Sequence, residues 1–142
     1  MIVFSMGFEI IDISGDAGIR AVGDDLKELF KSAAEGMYSL ITDISGIEPR
    51  QAVRTSLSSH STEGLLVSWL NELIFYFDAY GFIGREIEIK EISDKIIDAI
   101  IRGEEFDISR HERRLLVKAA TYHNLKIVKE DGRLKAEVIF DI

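Results

Sequence analysis

Residues 61–81 read STEGLLVSWLNELIFYFDAYG. Leu65, Leu66, Trp69, Leu70, Leu73, Ile74 and Phe77 recur at three- and four-residue intervals, which places them on one broad face of an α-helix. Ser61 or Thr62 can accept from the first free amides, and Gly81 supplies the residue that ends a helix in a left-handed turn. The flanking segments keep the other period. Residues 47–59 alternate Ala52, Arg54, Ser56 and Ser58 against Val53, Thr55 and Leu57, so one side of a strand is buried and the other wet. A helix with so wide an apolar face, set between strands, is expected to lie across a sheet.

Working outward, Phe8 and Ile10, then Ile19 and Ala21, predict two short strands around a tight Asp12–Gly18 segment. From Asp24 the period changes. Leu26, Leu29, Phe30, Ala33, Met37, Leu40 and Ile41 form an amphipathic helix to about Asp43, with Asp25 and Glu28 as a cap-like start. Downstream, strands are expected over 82–92, 95–106, 115–124, 125–130 and 134–140, with Asp131-Gly132 as a hairpin turn. Ile96, Ile97, Ile100 and Ile101 would also share a helix face. Because isoleucine is β-branched and the neighbours are strands, 95–106 is read as a strand. The expected fold is α+β: two helices packed on a mostly antiparallel β-sheet, a single two-layer domain spanning 1–142.

Composition restricts the functional classes. A chain of 142 residues hides about two-thirds of its unfolded surface and builds one core. With 46% hydrophobic residues, 30% charged residues and one proline it has the make-up of a water-soluble globular protein. There is no cysteine, which excludes disulfides, thiolate metal sites and a cysteine nucleophile and suits a cytoplasmic protein. No secretory pattern is read in residues 1–9, and Asn71, Glu72 and Asp78 interrupt the most apolar stretch, so no membrane partner is expected. The formal net charge is −8. Direct RNA binding would normally need a basic stripe; the short group Arg110, His111, Arg113 and Arg114 has no interleaved aromatic residues and is read as a solvated turn. An acidic chain of this kind fits a basic protein partner better than RNA.

Three places carry candidate chemistry. In Asp12-Ile13-Ser14-Gly15-Asp16-Ala17-Gly18, two carboxylates and a hydroxyl share one tight segment, which is either a turn using Asp and Gly for local hydrogen bonds or a hard-cation site. It lacks the Gly-Lys-Ser/Thr ending of a phosphate loop. At the other end, Asp141 and the α-carboxylate of Ile142 follow the apolar Val138-Ile139-Phe140; they form either a frayed tail or a pair of anions that a cation would neutralise. His123, at a strand end, is either hydrogen-bonded to backbone or a proton carrier, metal ligand or partner contact. His60 and His111 lie in polar turns and are expected to face solvent. Asn71 and Glu72, if exposed on their apolar helix, would mark a partner surface.

Taken in order, these segments resemble the archease family. Residues 12–20, Asp-Ile-Ser-Gly-Asp-Ala-Gly-Ile-Arg, are similar to its signature Asp-His-Thr-Ala-Asp-Ile-Gly-Ile. Ala33-Ala34-Glu35-Gly36-Met37, residues 65–73, Val117-Lys118-Ala119-Ala120-Thr121-Tyr122-His123 and the ending Val138-Ile139-Phe140-Asp141-Ile142 agree in sequence order. The resemblance implies an accessory protein, not an enzyme, that activates an RtcB-type tRNA-splicing RNA ligase by promoting GTP-dependent guanylylation and multiple turnover, and that meets RNA only through the ligase. It also implies a divalent cation, seen as calcium in the family, held by Asp16, Asp141 and Ile142, with Asp12, Ser14 and His123 as supporting or partner-contact residues. Oxygen ligands suit Mg²⁺ and Mn²⁺ as well. Ile13 stands where the family signature has histidine, so any imidazole chemistry at that point is missing here. The other readings open to these residues are a metal-dependent phosphoester hydrolase and a chaperone-like binding module with a structural ion.

Overall fold

The structure is a computed structural model that describes residues 7–13 and 15–142, with no side-chain placement for Asp12. The element order is β1 (Phe8–Ile13), β2 (Asp16–Gly23), α1 (Leu26–Ile41), a 3₁₀ turn (Ile44–Gly46), β3 (Gln51–Ser58), α2 (Thr62–Tyr80), β4 (Phe82–Ile92), β5 (Ile96–Glu105), β6 (Ala119–Ala120), β7 (Ile127–Glu130) and β8 (Arg133–Asp141). The α+β class is as expected, and every strand pairing is antiparallel. The strands form two sheets where one was expected. One has the order β1-β2-β8-β6, with β7 also pairing β8, and the other the order β3-β5-β4.

Both helices start and stop where local chemistry dictates. Asp25 accepts from the Glu28 amide at 2.9 Å, satisfying one of the helix's free donors, and Glu28 reaches back to the Asp24 amide, just before the cap, at 3.0 Å. Ser61 does the same for α2 by accepting from Gly64, and Gly81, at φ 70°, closes it. A non-glycine residue at position 81 would pay for that left-handed conformation. No helix among the described residues is long and apolar enough to cross a membrane.

The helices join the two sheets. α1 packs on β1, β2 and β8 of one sheet and on β4 of the other, while α2 packs on all three strands of the smaller sheet and on β6. Their buried side chains form one continuous core. At its centre Trp69 is fully buried and donates its indole N–H to the Phe30 carbonyl at 3.0 Å. A buried indole donor needs such a partner, so the two helices are tied by a polar contact as well as by apolar area.

Two local expectations are corrected, and one open reading is decided. The Asp12–Gly18 segment is mostly strand: Ile13 pairs with Asp16 and Asp12 with Ala17. The strand expected over 115–124 shrinks to Ala119–Ala120. Its backbone donors go elsewhere, from Arg114 to the Ile41 carbonyl and from Leu115 to the Leu40 carbonyl, both at 3.0 Å. These fill acceptors that the C-terminal end of α1 leaves open, and the chain runs on as a strap to Lys118, whose amide donates to the Asp141 carbonyl at 2.8 Å. Asn71 and Glu72 are half-buried rather than free for a partner. Asn71 exchanges hydrogen bonds with both backbone groups of Ala120, and Glu72 accepts from the Thr55 hydroxyl at 3.1 Å.

Candidate functional site

The candidate site is made by strand register. β2 and β8 pair from Gly23↔Leu134 to Ala17↔Phe140, so Asp16 and Asp141 are the next residue on each strand at the same end of the sheet. Residues opposite one another in an antiparallel pair lie about 5 Å apart at Cα. Side chains alternate along a strand; Ala17 and Phe140 are buried in the core, and Asp16 and Asp141 are exposed. Two elements hold this tip. The β1–β2 hairpin turns immediately beside Asp16 through the Ile13↔Asp16 pair. β6 pairs Ala119 with Asp141, and the Lys118 amide fixes the Asp141 carbonyl.

Ile142 follows directly and is 40% exposed. The register thus gathers Asp16, Asp141 and Ile142 from opposite ends of the chain. The side-chain donors of Asp16 and Asp141 are carboxylate oxygens, which fit a hard divalent cation and offer nothing to a soft one. Among the described residues no group of three His, Asp or Glu side chains converges on a metal-holding position, so backbone oxygens would have to complete the donor set. Asp12 has its backbone opposite Ala17 on β1; Ser14 lies outside the described residues.

His123 is not at a strand end. It sits in a turn closed by the Leu125 amide on the Tyr122 carbonyl at 3.0 Å, with its own amide on the Thr121 hydroxyl at 3.3 Å. Thr121 is anchored twice to the Ile139 carbonyl. The imidazole is exposed and belongs to a turn adjoining the tip rather than to the carboxylate group itself.

Sequence reasoning missed a second polar cluster. His111, expected in solvent, has a fully buried side chain. Its Nδ1 accepts from the Asp107 amide at 2.8 Å, which leaves Nε2 to donate to Glu104 Oε2 at 3.0 Å and so sets the tautomer. Glu104 also accepts from Arg110 and from the Glu48 amide, each at 2.8 Å. These donors, Arg110 foremost, hold its carboxyl down at about 2. The signal was Asp107-Ile108-Ser109, an Asx turn in which Asp107 accepts from the Ser109 amide and hydroxyl and which returns the chain over Glu104. His60 is exposed, as expected.

A depression of about 650 Å³ lies on the outer face of the larger sheet, away from the tip, and is lined by Arg20, Lys126, Arg133, Lys135, Glu9 and Glu137 among others. Its cations are largely spent internally: Arg20 on Glu9 and Glu137, Lys135 on Glu130, Arg133 on Asp24. The arrangement offers little net field to a ligand, and the carboxylate tip is the better candidate.

Comparison with known proteins follows the same residues. Residues 8–142 match the model of the Archease protein family. The archease of Methanothermobacter thermautotrophicus is 39% identical over 139 residues, covering 96% of this chain and 99% of that protein. That of Methanopyrus kandleri is 34% identical over 140 residues, covering 96% and 100%. The solution structure of Methanobacterium thermoautotrophicum protein 1598 superposes with a TM-score of 0.79 at 38% identity, over 96% of this chain and 99% of that one. A Thermotoga maritima archease, described as a possible chaperone, shares the fold at a TM-score of 0.67 and 21% identity, over 93% and 94% of the two chains. The fold, the order of the motifs and these relatives agree: the chain belongs to the archease family.

Proposed function

We propose that this protein is a cytoplasmic accessory factor that activates an RtcB-type tRNA-splicing RNA ligase, promoting GTP-dependent guanylylation of the ligase and its repeated turnover. It would do so with a divalent cation, Ca²⁺ or else Mg²⁺ or Mn²⁺, held by Asp16, Asp141 and the carboxylate or carbonyl of Ile142. The observation that carries this reading is the β2–β8 register, which brings two exposed carboxylates to one sheet end. When bound, the cation would offset the repulsion among these carboxylates and present positive charge to phosphate oxygens.

The chain's own residues supply the positioning. β8 is paired with β2 on one edge and held on the other by the Lys118 amide and the Ala119↔Asp141 pair, so Asp141 needs little ordering at the moment of binding. The net charge of −8 favours approach to a basic protein surface, with RNA met through the ligase. Ile13 offers no imidazole, so no proton transfer is assigned to it. Asp12, Ser14 and His123 remain supporting candidates around the same hairpin and turn.

The test is a multiple-turnover ligation assay with a cognate ligase, read together with ligase guanylylation. Stimulation by the wild-type protein and its loss in both Asp16→Ala and Asp141→Ala are expected. Undiminished stimulation by the two variants would sink the cation site, and no stimulation by the wild type would sink the ligase partnership. Phosphoester turnover by the pure protein, abolished in Asp16→Ala, would instead indicate a hydrolase.

A further inference from the structure

The smaller sheet has two edges, and they are built differently. β4 is interrupted twice, with register shifts at Gly84/Glu86 and Ile89/Glu91, and it carries Arg85, Glu86, Glu88, Lys90 and Glu91. Bulges and charges are the devices that keep an edge strand from pairing with another chain. β3 has neither defence. Its eight residues pair with β5 in unbroken register from Gln51↔Gly103 to Ser58↔Ile96. It contains no proline, and its one charge, Arg54, is already committed to Asp98 at 2.8 Å. Among the described residues no backbone group bonds to its outer edge. An unguarded, regular edge is a template for another strand.

We infer that β3 is a self-association edge, at which a second copy of this chain adds antiparallel to form a continuous six-stranded sheet. The occupant follows from self-complementarity. Opposed residues in an antiparallel pair share a face, so a twofold axis must pass through a residue position. With the axis at Thr55, Val53 opposes Leu57 twice, Arg54 opposes Ser56 twice, Ala52 opposes Ser58 twice and Thr55 meets its own copy. Apolar residues then meet apolar ones, and no like charges are opposed. With the axis at Arg54, two guanidiniums would face each other. Thr55 is buried and bonded to Glu72, while Arg54 and Ser56 lie on the exposed face, so the pairing needs no refolding of either copy. The interface is one strand deep, which makes the dimer weak and concentration-dependent. The like net charge of the two copies makes salt favour it.

The experiment is sedimentation velocity on the full chain from micromolar to millimolar concentration at low and moderate salt, with hydrogen exchange measured across the same range. A dimer that grows with concentration and salt is expected, with added amide protection in 51–58 and none in 82–92. Ser56→Lys sets a lysine against Arg54 twice and should weaken association about tenfold. Adding Arg54→Glu to it should restore association by opposing unlike charges. A monomer at millimolar concentration, a dimer indifferent to Ser56→Lys, or protection that rises elsewhere than β3 would each overturn the inference; so would β3 protection that appears only with an added unrelated peptide.

Discussion

The molecule holds carboxylates in two contrasting ways. At the Glu104 knot every strong polar atom is spent: Glu104 takes donors from Arg110, His111 and the Glu48 amide, and His111 is used at both nitrogens. At the β2–β8 tip, Asp16 and Asp141 are brought to one sheet end, with Ile142 following, and left facing water. The first arrangement suits structure, because a buried charge is tolerated only when fully paired. The second suits a ligand, because carboxylates held side by side gain most when something positive arrives. The strongly shifted acid Glu104 belongs to the knot, so a perturbed carboxyl here marks a folding device.

The largest expected effect comes from breaking the knot. His111→Ala removes a buried ring that lies 5.5 Å from Phe106 and leaves the Asp107 amide without its acceptor. It should cost about 2–3 kcal/mol, a fall in melting temperature on the order of 5–10 °C, measured by calorimetry. Stimulation of a ligase at temperatures where the variant stays folded should be unchanged. A variant as stable as wild type would show that the knot is dispensable and erase the contrast.

Acid sharpens the same comparison. Glu104 sits near 2 in the folded protein, below its ordinary value of 4.5, so its contribution is complete above about pH 4.5 and is lost as pH falls toward 2. Melting temperatures of wild type and Glu104→Gln should differ by a constant amount above pH 5 and converge through that acid window. A gap that stays constant down to pH 2 would place the stabilisation somewhere other than the carboxylate.

The tip should respond to cations and be indifferent without them. At a tenfold excess of Ca²⁺ over its Kd, linkage raises stability by about 1.4 kcal/mol. Asp16→Ala and Asp141→Ala should abolish that rise while staying within about 0.5 kcal/mol of wild type in chelator, since both residues are exposed. A large loss of stability in chelator would make the tip a second structural knot.

Much of this was readable before the fold, and what was not has physical causes. The helices announced themselves through a 3.6-residue period bracketed by Asp25, Ser61 and Gly81, and β5 followed from its isoleucines even though a helix would have accommodated them. The strap over 112–118 was not readable. Residues 115–124 read as a strand, but Arg114 and Leu115 give their amides to the end of α1, and only the packed structure shows which acceptors are open. The members of the tip were legible as two acidic segments and a family resemblance. Their meeting depends on the β2–β8 register, which no local pattern encodes. His111 was hidden by its polar neighbours, because the residue that buries it, Glu104, closes a strand otherwise read by alternation.

The smallest effect belongs to charges that are paired but exposed, the case between knot and tip. Arg20 on β2 bridges Glu9 on β1 and Glu137 on β8 across the outer face of the larger sheet, with all three side chains 40% exposed or more. Its guanidinium is stabilised chiefly by the Glu137 hydrogen bond, yet solvent and salt screen the ladder. Arg20→Met keeps the aliphatic cover over the sheet and should cost no more than about 0.5–1 kcal/mol at low salt, shrinking further at high salt. Salt-dependent melting of the two proteins tests this. If Arg20→Met costs as much as His111→Ala, pairing alone decides the worth of a charge in this fold; if it costs little, burial does, and the open carboxylates of the tip are free to serve binding without loss of stability.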